Sequence, residues 1–140
     1  MTPDAPHGRP VVAVSALVVD DDRLLRVRRG PGPAGGSSAL PGGEVEAGET
    51  VAEAVVRALE EETGLEGVCD GLVGVREHVD DDAHDVILAY EVLLPGGDEP
   101  VAGSDTAEAA WVPLGDLGEV RLVRGLAEFL HDHGVLSTIT

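Results

Sequence analysis

Thr50 to Thr63, TVAEAVVRALEEET, has little freedom in what it can form. Helix formers fill it, Thr50 stands where an N-cap belongs, and Glu53 three residues later completes a capping box. Gly64 supplies the stop. Val51, Val55 and Leu59 recur every fourth residue and make a buried stripe, while Glu53, Arg57, Glu60, Glu61 and Glu62 occupy the rest of the surface. The spacing predicts an amphipathic helix with one acidic side, which needs an apolar layer to lie on.

Strands on both sides of the helix provide that layer. Residues 11–20, VVAVSALVVD, and residues 23–28, RLLRVR, are expected to pair as a hairpin across Asp20, Asp21 and Asp22. Residues 30–38, GPGPAGGSS, are too rich in Gly, Pro and Ser for regular structure. They form a mobile loop, either a bare linker or a ligand flap, that delivers the chain to a tight turn at Leu40-Pro41-Gly42-Gly43. Further strands are expected at 68–79, 86–94 and 109–112, separated by an acidic turn at 80–85 and a loop at 95–106. A last helix over 120–133 places Leu122, Leu126, Phe129 and Leu130 on one face and ends at Gly134. No internal repeat is visible. This order predicts a mixed sheet covered on two faces, forming one domain over 11–134 between a flexible N-terminal segment (1–10) and a C-terminal tail (135–140).

Composition narrows the function. The 140 residues, 43% of them hydrophobic, suit a single core. No run approaches the roughly 20 apolar residues of a membrane span, and residues 1–10 lack the basic-then-apolar order of a secretory signal. A cytoplasmic protein is expected. The lone Cys69 is read as an inert thiol, since a nucleophile would need a partner that the sequence does not show. A net charge of −18, from 27 acidic and 9 basic residues, repels polyanions, so long nucleic acid is not expected as a partner. A small phosphorylated ligand is compatible with this acidity if divalent cations stand between carboxylates and phosphate oxygens. With one each of Trp, Tyr and Phe, stacking on bases must be sparse.

The segment from Gly42 to Leu65, GGEVEAGETVAEAVVRALEEETGL, joins a glycine turn to paired carboxylates. Gly42 and Gly43 allow main-chain groups to approach a ligand or metal closely, and a carbonyl there can be a ligand. Adjacent Glu61 and Glu62 are either ordinary surface residues or a pair whose repulsion is relieved by shared divalent cations. Such ions polarise a phosphoryl oxygen and lower the pKa of a bound water, which points to attack of water on a diphosphate.

Gly43, Glu49, Arg57, Leu59, Glu61, Glu62, Gly64 and Leu65 stand at the positions of the Nudix box. Leu40-Pro41-Gly42 and Trp111-Val112-Pro113-Leu114 extend the likeness over nearly the whole chain outside its termini. The sequence thus resembles the Nudix hydrolase family, of the MutT-like kind. That resemblance implies an α/β/α sandwich with a mixed β-sheet. It also implies hydrolysis of a pyrophosphate bond in a nucleoside diphosphate linked to another moiety, with magnesium or manganese. By position, Glu61 and Glu62 would bind metal, the Gly43 carbonyl would complete the site, and Glu49 would pair with Arg57 to brace loop against helix. A purely helical pairing of Arg57 with Glu53 or Glu61 is the other reading. A homodimer is compatible with the family.

The residue after Arg57, a metal-binding glutamate in the family pattern, is Ala58 here. At about 100° per residue, Ala58, Glu61 and Glu62 share an arc of roughly 100°, whereas Glu60 points about 160° from Ala58 and is no substitute. Asp105 and Glu108, before the late Trp111, are the candidate replacements as metal ligands. Glu77, Asp80, Asp81, Asp82 and Asp85 are read as a solvated turn. Ser38 stands where the family commonly has an aromatic. Arg26, Arg28 and Arg29 form a basic patch that either receives substrate phosphates or is a solvated strand edge. His78 and His84 are either surface residues or a metal ligand or base, His131 and His133 are helix-end cations, and Tyr90 and Trp111 are either core or pocket lining. Two functions follow: a metal-dependent pyrophosphohydrolase, or a domain that binds or senses a nucleotide and has lost efficient turnover through Ala58. A scaffold that uses the fold for assembly alone would bind neither metal nor nucleotide.

Overall fold

A computed structural model of the chain describes residues 9–30 and 36–136. The expected flexible segment 1–10, the loop 30–38 and the tail 135–140 lie wholly or partly outside these residues. The strands are β1 (Val11–Leu17), β2 (Val19–Asp20), β3 (Arg23–Arg29), β4 (Ser38–Ala39), β5 (Gly42–Glu44), β6 (Val68–Val79), β7 (His84–Leu93) and β8 (Thr106–Pro113). The helices are α1 (Val51–Thr63), a 3₁₀ turn at Leu114–Glu119, and α2 (Leu126–Asp132).

One sheet is mixed, in the order β5-β1-β7-β6, with β1 parallel to β7 and antiparallel to β5. The other is antiparallel and centres on β3, which pairs with β2, β4 and β8. The expected hairpin over 11–28 is therefore corrected. Only Val19↔Leu24 and Asp20↔Arg23 pair across the turn at Asp21 and Asp22, both at φ 59°. The residues before Val18 leave for the mixed sheet. Their near-continuous apolar run suits a strand buried on both faces, and Val14, Ser15, Ala16 and Leu17 are all buried.

The alternation of strand side chains sends successive residues to opposite faces, and each face has its own helix. Val14, Ala16, Val18, Leu25 and Val92 pack with Ala54, Val55 and Leu59 of α1. Leu17, Leu24, Ala89 and Val112 pack with Leu126, Phe129 and Leu130 of α2. This is the expected α/β/α arrangement. Burying side chains such as Leu59 and Leu130 stabilises by about 2–3 kcal/mol each.

Helix α1 has its predicted bounds. The Thr50 side chain accepts from Glu53 N–H, the Glu53 carboxylate accepts from Thr50 N–H, and Gly64 closes the helix at φ 72°. The second helix is shorter than expected. Residues 120–125 are not helical: Leu122 bridges Ser38, with Ser38 N–H donating to Arg121 O at 2.7 Å and Val123 N–H donating to Ser38 O at 2.9 Å, and residues 124–125 turn. Gly125, at φ 84°, then redirects the chain into α2. Backbone pairing beyond the reach of local periodicity decides that segment. The β6–β7 turn closes at Asp80, whose Oδ1 accepts from Asp82 and Ala83 N–H, so β7 begins at His84, inside the expected turn. Among the described residues, no helix is long and apolar enough to cross a membrane.

Candidate active site

Helix α1 presents Arg57, Glu61 and Glu62 to the chain that precedes it. Arg57 Nε and Nη2 donate to Glu49 Oε2 and Oε1 at 2.6 and 3.0 Å, a fork-to-fork pair. The same guanidinium donates to the Glu44 carbonyl at 2.9 Å and to Glu61 Oε1, also at 2.9 Å. Arg57 thus fixes the loop after β5 and orients Glu61 at once. The Arg57 hydrogen bond, with a backbone bond from Glu46, holds the Glu49 carboxyl below its usual range, and Glu49 in turn raises the pKa of Arg57.

Glu62 has different partners. Its Oε2 accepts from Arg29 Nε at 2.8 Å, and its Oε1 accepts from Arg29 Nη2 at 2.9 Å and from Gly42 N–H at 2.8 Å. The Glu62 side chain is 14% exposed and that of Glu61 62%, so the two neighbours occupy different environments. Gly42 is required here by close approach. A Cβ at that position would collide with the Val14 carbonyl oxygen, whereas one at Gly43 would lie 3.9 Å from the Ala58 methyl. Ala58 is buried beneath that turn, 2% exposed, so a methyl group fills the place of the family glutamate.

The three arginines of the basic patch separate. Arg29 joins Glu62, while Arg26 Nη1 and Arg28 Nε meet Glu108 at 2.9 and 3.5 Å. Arg26 is the larger cause of a lowered Glu108 pKa. Asp105 lies exposed in the turn before β8. Among the described residues, no three His, Cys, Asp or Glu side chains gather to hold a metal, so neither Glu108 nor Asp105 joins Glu61 and Glu62 in such a group. His78 pairs with Asp80 and His84 with Glu77, each at 3.0 Å. Trp111 Nε1 donates to the Asp98 carbonyl at 2.7 Å, and Arg23 sits 4.5 Å over its ring.

An open pocket of about 330 Å³ is lined by Arg29 and Gly42, the two partners of Glu62, and by Gly43. Its lining also includes Arg76, His78, Asp85 and Arg124. Arg76 and Arg124 do not stand out in the sequence. Arg76 offered a faint signal, a lone cation in an acidic hairpin, and Arg124 offered none once its segment had been read as helix.

An α/β/α sandwich whose capped, acidic helix is braced to a glycine turn beside an open pocket defines a class of small-ligand domains. The chain belongs to the NUDIX domain family, whose model matches residues 9–133. It is 41% identical over 109 residues to an ADP-ribose pyrophosphatase of Methanocaldococcus jannaschii, covering 77% of this chain and 64% of that protein. It is 34% identical over 109 residues to a MutT-like protein of Streptomyces ambofaciens, covering 77% and 67%. The MutT NUDIX hydrolase from Burkholderia pseudomallei superposes with a TM-score of 0.78 at 31% identity, over 87% of this chain and 96% of that one. The chain spans just under two thirds of the archaeal pyrophosphatase's length.

Proposed function

We propose that this protein is a divalent-metal-dependent, cytoplasmic hydrolase that cleaves the pyrophosphate bond of a nucleoside diphosphate linked to another group. The observation that carries this is the junction at Arg29, which holds Glu62 of the helix while lining the adjacent pocket. A diphosphate seated there would meet the guanidinium and the glycine turn together. The pyrophosphatase activity named for the archaeal relative supports the same reading.

Nudix hydrolases generally need divalent metal ions. The donors present, the Glu61 and Glu62 carboxylates and the Gly43 carbonyl, are hard oxygens. They fit magnesium or manganese held by two carboxylates, with water and substrate phosphates completing the shell. When bound, such an ion supplies charge neutralisation and a more acidic water. Glu49 and Arg57 act as positioning residues: their fork keeps Glu61 aimed and the loop after β5 in place. Arg29 exchanges Glu62 for substrate phosphate, and Glu108 orients Arg26 and Arg28 along the approach.

Ala58 favours a second reading. With a buried methyl at that position and both helix glutamates paired to arginines, nucleotide binding without efficient turnover suits the same geometry. A product assay over ADP-ribose, nucleoside triphosphates and dinucleoside polyphosphates, with magnesium or manganese, separates the two. Turnover that Glu62→Gln abolishes supports the hydrolase. Binding with no product under any condition overturns it in favour of the sensing domain.

A further inference from the structure

All nine basic residues of this chain are arginines, set against 27 acidic ones, so an arginine without a carboxylate partner needs an explanation. Arg23, Arg26, Arg28, Arg29 and Arg57 each pair with Asp or Glu. Among the described residues, no carboxylate lies within ion-pair distance of Arg9, Arg76, Arg121 or Arg124. Arg9 and Arg121 are exposed, as expected of solvated cations. Arg76, half-buried, and Arg124, exposed, line the pocket beside helix α1.

Arg76 is the more telling of the two. It lies on β6 opposite Ile87 of β7, and its Nε is buried with no hydrogen-bond partner. A buried charged donor left without an acceptor is costly, and a native fold leaves one mainly where an absent group completes it. Burial also lowers the Arg76 pKa, the mark of a cation held away from water without a counter-charge. Asp85 and Glu44 share the pocket wall, yet neither comes within 4.0 Å of this guanidinium. No described residue supplies the acceptor, and a group that offsets two guanidinium charges is anionic.

Resting on the proposed function, we propose that Arg76 and Arg124 form a subsite for a second anionic group of the substrate, a phosphate beyond the scissile diphosphate. One pocket thus receives Arg29 and the Gly42–Gly43 turn from β3 and β5, Arg76 from β6, and Arg124 from the segment held to Ser38. A substrate with a neutral sugar there leaves both cations unmatched. One with an ester phosphate, or a longer polyphosphate tail, satisfies them with paired N–H donors.

The test is equilibrium binding in magnesium, which does not depend on turnover. It uses two ligand pairs: NADH against NADPH for an ester phosphate, and ADP against ATP for a tail phosphate. The wild-type chain is expected to prefer the extra phosphate in one pair by about 10-fold or more, and the pair that responds identifies the source. Arg76→Gln and Arg124→Gln should erase that preference while leaving affinity for the smaller ligand within about 2-fold. Arg124 is exposed, so its variant keeps the test valid if Arg76→Gln fails to fold. Equal affinity within both pairs, or a preference that survives in Arg124→Gln, overturns the subsite. A chain that binds with this discrimination but releases no product keeps the subsite and loses the hydrolase reading.

Discussion

Arg29 grips Glu62 with its Nε and Nη2, at 2.8 and 2.9 Å, and so ties the last turn of helix α1 to the lining of the adjacent pocket. The Glu62 carboxylate is thereby neutralised by a cation from β3, and a metal ion must compete with that cation for it. Arg29→Met is expected to strengthen manganese binding in the absence of nucleotide by several-fold and to weaken nucleotide binding by about 10-fold. Titration of manganese by electron paramagnetic resonance, with and without ADP-ribose, reads both effects. Unchanged metal affinity would show that Arg29 does not guard Glu62.

Glu49 gives the fold a carboxylate whose pKa lies below its ordinary 4.5, chiefly through the Arg57 hydrogen bond. A depressed folded-state pKa stabilises above the unfolded value, and that contribution is lost as pH falls through the folded value. Glu49→Gln should therefore lower Tm at neutral pH, and its deficit relative to wild type should shrink as pH drops below the carboxylate range. Thermal unfolding from pH 7 downward checks the sign. A deficit that is constant with pH would place the effect in packing rather than in the ion pair.

Ala58→Glu introduces a carboxylate at a position only 2% exposed, beneath Gly43. Without metal the variant should lose about 1–3 kcal/mol of stability, because the new charge is desolvated beside Glu61 and Glu62. Magnesium should return much of that loss and, where the missing ligand limits the chemistry, raise turnover sharply. Denaturant unfolding with and without magnesium, beside the product assay, reports each half. No gain in turnover would show that Ala58 is not what limits the enzyme.

The two glycines of the turn should respond oppositely to a methyl group. Gly42→Ala drives its Cβ into the Val14 carbonyl and is expected to cost at least about 2 kcal/mol. Gly43→Ala meets the Ala58 methyl at an ordinary contact distance of 3.9 Å and should cost under about 1 kcal/mol. Chemical denaturation of both variants gives the comparison, and equal losses would contradict this account of the turn.

Helix α1 was legible to the residue because its signals are local: Thr50, Glu53 and Gly64 act within one turn of the ends they define. The acidic side was legible for the same reason, as 3.6-residue periodicity places Glu61 and Glu62 without reference to the rest of the chain. Strand positions came through nearly as well, but partners did not. The apolar run 11–20 is as compatible with a hairpin as with a central strand, and only the register Val11↔Asp85 to Leu17↔Glu91 separates these. Residues 120–125 carry a helical spacing of apolar side chains, yet the Ser38 backbone captures Arg121 and Val123 and the chain turns at 124–125 before α2 can start.

The sequence by itself determined the capped helix, its carboxylates, the glycine turn before it and the apolar alternation that requires two helix-covered faces. Tertiary structure alone decided which arginine meets Glu62, that Arg26 and Arg28 turn to Glu108, and that Arg76 and Arg124 come to share one pocket from positions 48 residues apart. Capping and periodicity are short-range properties of neighbouring residues. Ion pairs and pocket walls depend instead on strand order and register, which emerge only when distant segments compete to bury their apolar faces and satisfy their backbone.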